Sequence, residues 1–231
     1  MTARYAIYVV PSEDHPLYTF GRHLLGWDAR LGEPLAQLAL EGIDTERLVA
    51  MTNSPRLYSF HATLKPPFQL IDQQSAEALH RDVEKFAARQ KAFKIPELET
   101  RVIDRFIAIV PSNPCTALHT LADGCVRAFD DFRAPPNADE LAKRRVAGLT
   151  SPQEMLLKQW GYPYVFKEFR PHFSLTERID DAAERDRVLQ AMRKACTPES
   201  LTDVTVDSIS IFSQPDTRTP FQQTARFRFG S

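Results

Sequence analysis

Phe60-His61-Ala62-Thr63-Leu64-Lys65 and Phe169-Arg170-Pro171-His172-Phe173-Ser174-Leu175-Thr176 carry one short pattern twice: a histidine, a hydroxyl residue two positions on, then leucine. In an extended strand, successive side chains point to opposite faces. Each string therefore sets an imidazole and a hydroxyl on one face. The other face is apolar: Phe60, Ala62 and Leu64 in the first string, Phe169, Phe173 and Leu175 in the second. Two such strands brought together would place two imidazoles and two hydroxyls around one small anion. The same alternation adds Lys65 to the first polar face and Arg170 and Thr176 to the second, as groups to bind a charged substrate.

Outward from these strings the periodicity gives an α+β order. Residues 5–10 read as a buried strand, and Leu17, Phe20 and Leu24 recur at helical spacing. Asn53-Ser54-Pro55 reads as a turn, residues 57–64 as the first motif strand, and Pro66-Pro67 as its end. A helical stripe runs over 73–91, followed by strands near 94–98 and 101–110 and a helix opening at Asn113-Pro114. Residues 132–162 are more charged, with helical segments at Lys143-Arg144-Arg145 and after the capping sequence Ser151-Pro152-Gln153-Glu154. Residues 164–176 return to strand. A helix over 181–196 and strands over 204–212 and 224–229 complete the chain. Each half thus runs motif strand, helix, strand pair. That order predicts one domain over 1–231, made of two pseudo-symmetric lobes with a central cleft and a helical insertion at 132–162.

Composition narrows the function classes. Among 231 residues, 29 are basic and 30 acidic, a net charge of −1 that argues against a nucleic-acid partner. Cys115, Cys125 and Cys196 are too few and too scattered for a disulfide framework or a zinc site, which suggests a reduced, cytoplasmic setting. No apolar run reaches membrane-spanning length and no secretory signal core opens the chain. His15, His23, His80 and His119 have no hydroxyl partner at motif spacing and read as surface or packing residues.

Opening a cyclic phosphodiester needs a base for the attacking water, an acid for the departing oxygen and donors to the non-bridging oxygens. Imidazole suits both proton roles near neutral pH. His61 and His172 are the candidate acid and base, Thr63 and Ser174 the candidate phosphoryl donors, and no metal or cofactor is required. The sequence does not say which histidine is which. The expected partner is a small phosphorylated sugar or nucleotide.

The paired His-x-[Ser/Thr] strings resemble those of the 2H (two-histidine) phosphoesterases. The stretches Arg4-Tyr5-Ala6-Ile7-Tyr8, Pro55-Arg56-Leu57-Tyr58-Ser59 leading into the first motif, Trp160-Gly161-Tyr162-Pro163-Tyr164 and 169–176 are similar to the 2H branch encoded beside carbon–phosphorus lyase genes. The resemblance implies a bilobed fold with two mostly antiparallel sheets and flanking helices around a cleft holding His61, Thr63, His172 and Ser174. It also implies a phosphoribosyl 1,2-cyclic phosphate as substrate, with Lys65 or Arg170 on the 5-phosphate. An RNA 2′,3′-cyclic phosphodiesterase or 2′-5′ RNA ligase-like enzyme, and a non-catalytic phosphosugar binder, are the alternatives.

Overall fold

The computed structural model describes residues 3–146 and 148–230. Its elements, in order, are β1 (Arg4–Val9), α1 (Pro16–Leu25), β2 (Trp27–Asp28), β3 (Glu33–Pro34), α2 (Thr45–Tyr58), β4 (Ala62–Gln69), α3 (Ala76–Ala87), β5 (Phe93–Lys94), β6 (Leu98–Ile103), β7 (Phe106–Pro111), α4 (Thr116–Ala128), α5 (Ala138–Arg145), α6 (Ser151–Trp160), β8 (Phe173–Ser174), α7 (Ala182–Ala195), α8 (Pro198–Leu201), β9 (Thr205–Val206), β10 (Ser208–Gln214) and β11 (Gln222–Arg228). The α+β class and the antiparallel pairing are as the sequence predicts. Seven strands form one sheet in the order β11-β10-β1-β4-β8-β7-β6. The two expected sheets are continuous: β4 and β8 join them through a single residue pair, Ala62↔Phe173.

The apolar stripes explain the layering. Leu17 and Leu24 of α1, Leu79 and Val83 of α3, Leu118 and Cys125 of α4, and Val188 and Met192 of α7 are buried against Ile7, Ala62, Ile109 and Phe173 of the sheet. Helices thus cover one sheet face, and the opposite face holds the cleft. All three cysteine thiols are buried in this interior and unpaired.

Two local expectations are corrected. Asn53-Ser54-Pro55 is not a turn, because α2 runs through it to Tyr58. Proline has no N–H to give the carbonyl four residues back. That carbonyl, on Met51, accepts the Glu177 N–H at 2.7 Å instead, so the break in the helix ladder ties α2 to the segment after the second motif. The first motif strand begins only at Ala62 and continues through Pro66-Pro67. Residues 164–176 are mostly irregular, with strand only at Phe173–Ser174.

Gly21 positions the first motif. A Cβ there would lie 2.2 Å from Cγ of Phe60, the residue before His61. Gly21→Ala is therefore expected to lower stability by about 2 kcal/mol through overpacking, against its gain of about 1 kcal/mol in helix propensity. Urea unfolding checks this, and an unchanged or higher midpoint would show that Phe60 yields freely.

Candidate active site

The pair Ala62↔Phe173 fixes the register of the two motifs. In an antiparallel ladder, that pair sets residue 61 opposite 174 and residue 63 opposite 172. Each histidine then faces the other motif's hydroxyl residue, at cross-strand distances of roughly 5 Å between Cβ atoms. All four residues line one cleft of about 720 Å³. The strands are neighbours in one sheet rather than opposed walls, and the cleft lies over the face that carries these four residues.

Backbone carbonyls orient both rings. His61 Nδ1 lies 3.0 Å from the Ser59 carbonyl oxygen and His172 Nδ1 lies 2.7 Å from that of Arg170. A carbonyl only accepts, so each Nδ1 carries the proton and each Nε2 presents a lone pair. The Thr63 hydroxyl donates to His61 Nε2 at 2.9 Å. No hydrogen bond among the described residues engages Ser174 Oγ or His172 Nε2. Ser59 achieves its aim at a backbone cost, with φ 67° and ψ 174°, a region that disfavours any Cβ. Its hydroxyl, donating to the Phe221 carbonyl at 2.6 Å, holds it there.

Aromatic rings from the flanking strands support the imidazoles. Tyr8 of β1 stacks on His61 with centroids 3.5 Å apart and 16° between planes, and Phe106 of β7 lies 5.5 Å from His172. The Tyr8 hydroxyl is buried with no hydrogen-bond partner among the described residues. Burial also governs protonation. Desolvation, with a smaller contribution from repulsion by His172, pulls His61 down to about 3, and desolvation lowers His172 too.

These shifts give a stability signature. The unfolded chain takes up protons on His61 as pH falls below 6.5, while the folded protein resists until about 3. Over that window the unfolded state binds more protons, so stability is full above 6.5 and declines as pH drops. Thermal unfolding between pH 4 and 7 is expected to show a shallower decline for His61→Gln than for wild type. Equal slopes would mean that the ring is not held neutral.

The structure corrects one binding residue and qualifies another. Lys65 does not reach the cleft. Thr63 pairs with Tyr8 and Lys65 with Ile7, so Leu64 is an extra residue in a β-bulge and the alternation resets after it. Lys65 is only 2% exposed. Its ammonium donates to the Val126 carbonyl at 3.2 Å and pairs with Asp130 at 3.3 Å. Burial lowers it to about 8. Thr176 stands in the cleft wall, but its hydroxyl oxygen accepts the Ile107 N–H at 2.9 Å and so braces β7. Arg170 is exposed and lines the cleft.

Tyr8, Ser59, Phe106, Tyr58, Tyr162 and Arg144 also belong to the site or its support and lie outside the candidate residues that the motifs supply. Tyr8 and Phe106 carry a weak signal, since each lies on a strand next to a motif, but only the pairing reveals it. The other histidines have packing roles. His15 caps α1 by accepting the Leu17 N–H, His23 Nδ1 meets the Ala36 carbonyl, and His80 and His119 pack edge-on against Phe227 and Phe169.

Comparison with known proteins adds three findings. A family model described as "Protein of unknown function (DUF1045)" matches residues 63–222. Two curated proteins named ribose 1,5-bisphosphate phosphokinase PhnN are similar. The one from Janthinobacterium sp. (strain Marseille) is 36% identical over 98% of this chain, and the one from Laribacter hongkongensis (strain HLHK9) is 30% identical over 95%. The chain spans about half the length of each, 51% and 50%. Among solved structures, E. coli LigT complexed with 3'-AMP aligns over 100% of both chains at 13% identity with a TM-score of 0.47. Kluyveromyces marxianus Usb1 aligns over 96% of this chain and 97% of its own at 9% identity and 0.38. No helix among the described residues is long and apolar enough to cross a membrane.

Proposed function

Since the chain belongs to the DUF1045 family, we propose from its cleft that it is a phosphoesterase of the two-histidine type, acting in phosphonate metabolism on a small cyclic phosphodiester. The observation that carries this reading is the register: two imidazoles with lone pairs at Nε2, each across from the partner motif's hydroxyl residue, all lining one cleft.

The reaction follows from that arrangement. Water attacks phosphorus in line with the departing sugar oxygen. One imidazole takes the water's proton and the other, as imidazolium, protonates the leaving oxygen, so the ring opens to a monoester with no net proton change on the pair. Burial holds His61 neutral down to about 3 and the Thr63 hydroxyl donates to its Nε2, whereas His172 Nε2 carries no hydrogen bond among the described residues. The first proton taken up by the pair therefore resides on His172, which makes His61 the base and His172 the acid. The bound diester's negative charge favours that imidazolium. Thr63 and Ser174 donate to the non-bridging oxygens. Thr63 must turn from His61 Nε2 to do so, which frees the lone pair for water.

The substrate class is a ribose phosphate. The relatives' printed name puts their chemistry on ribose 1,5-bisphosphate. Their kinase activity is not carried over, since no glycine in this chain is followed by lysine and the phosphate-cradling G-x-x-x-x-G-K-[ST] loop is absent from it. A cleft of about 720 Å³ holds a sugar phosphate comfortably. The test is hydrolysis by EDTA-treated protein of a ribose 1,2-cyclic phosphate against nucleoside 2′,3′-cyclic phosphates. Preferred turnover of the ribose compound is expected. Preference for the nucleoside compounds would favour an RNA-end enzyme, and turnover of neither would favour a binding protein.

A further inference from the structure

The charged helix α5 has no buried residue. It does not sit where it does in order to cover core. Besides its capping box, it is held by an ion pair from Arg145 to Glu154 at 2.7 Å and by Arg144, whose guanidinium lies 4.7 Å from the centre of the Tyr162 ring. Arg144 is the only described residue of α5 that lines the cleft with His61 and His172. Arg145 is neutralised by Glu154, and Arg178, on the β6–β7 side, by Asp104 at 2.8 Å, whereas Arg170, beside His172, is in no ion pair among the described residues. Arg144 has no ion-pair partner among the described residues. It is grouped with Tyr58 and Tyr162 about Tyr8, hence on the His61 flank of the sheet. Tyr8, in the same group, is 0% exposed and its hydroxyl makes no hydrogen bond among the described residues. Buried hydroxyls are ordinarily paired. A guanidinium stacked on Tyr162 with no ion-pair partner presents several N–H donors toward the cleft.

We propose that Arg144, presented by α5 and aligned by its stack on Tyr162, binds a phosphate monoester on the substrate, distinct from the cyclic diester between the histidines. This rests on the two-histidine reading above and adds a second anionic group to the substrate. It also reassigns the role that the alternation gave to Lys65, which the bulge in β4 turns into the interior. Arg170, two residues from His172 and sharing its backbone turn, is placed for the reacting diester instead.

The experiment measures kcat/KM for ribose 1,2-cyclic phosphate with and without a 5-phosphate, on wild type, Arg144→Ala, Arg144→Lys and Arg170→Ala. Wild type is expected to prefer the 5-phosphorylated compound. Arg144→Ala is expected to reduce that preference roughly 10- to 100-fold, chiefly through KM, because a charge-assisted bond is lost. Arg144→Lys, keeping charge without the fork, should give an intermediate ratio, and Arg170→Ala should lower both substrates without changing the ratio. An unchanged ratio in Arg144→Ala, or its collapse in Arg170→Ala alone, overturns the assignment while leaving the two-histidine reading intact. If no cyclic phosphate is hydrolysed, that reading fails separately. Calorimetric binding of ribose 5-phosphate then decides the subsite, with weaker binding to Arg144→Ala supporting it and equal binding overturning it.

Discussion

Replacing His172 with alanine is expected to lower kcat for cyclic phosphate hydrolysis about 10³-fold, and replacing His61 to do the same. Both changes remove a ring whose Nε2 faces the cleft and whose Nδ1 is fixed by a backbone carbonyl, so the fold should survive them. In the proposed reaction the histidines act on one transition state, taking and giving protons in the same step. Their effects should therefore not multiply, and the double variant should fall only slightly below either single one. Steady-state rates of the three proteins at one pH check this. A double variant slower by the product of the two single losses would show that the rings act independently, and an active His172→Ala would remove the acid from the mechanism. Since both imidazoles are depressed in the ligand-free protein, the falling limb of kcat/KM with rising pH should lie below 6.5.

Asp130→Ala is expected to cost about 3 kcal/mol of stability, the other large effect. Asp130 holds the Lys65 ammonium at 3.3 Å and the Arg133 guanidinium at 2.9 Å, and Arg133 also donates to the Gln159 carbonyl of α6 at 3.3 Å. Removing the carboxylate leaves an almost fully buried lysine beside an arginine with no counter-charge. Lys65→Met should cost less than about 1 kcal/mol, because an apolar chain of similar length fills the site without needing a partner. Chemical denaturation of both variants gives the comparison. A Lys65→Met protein with normal stability but a strongly raised KM would mean that the lysine does reach substrate, contrary to its position here.

Lys65 also marks the limit of what the strings themselves could say. Up to Thr63 the alternation is obeyed: His61 and Thr63 line the cleft while Phe60, Ala62 and Leu64 are buried. Beyond it, the inserted Leu64 shifts the phase. A bulge is a property of two paired strands, and β1, the partner, lies some sixty residues away with nothing in its sequence that announces the mismatch. The second motif shows the same limit differently. His172 and Ser174 both line the cleft, yet the strand spans only Phe173–Ser174, preceded by a 3₁₀ turn at Phe166–Glu168 and by Pro171, which has no N–H to give a ladder.

What the sequence determined by itself is whatever depends on neighbours along the chain. The period-two pattern put each imidazole beside its hydroxyl, apolar spacing identified the helices that cover the sheet, and the motif repeat singled out both histidines that line the cleft. Tertiary structure decided what depends on partners far away in sequence. The single pair Ala62↔Phe173 set each histidine across from the other motif's hydroxyl residue. The β1 pairing laid Tyr8 under His61 and turned Lys65 inward, and the packing of an otherwise unburied helix carried Arg144 to the cleft. Local alternation fixes the direction of a side chain relative to its own strand. Only strand register and helix packing, set by the balance of burial over the whole core, fix what stands opposite it.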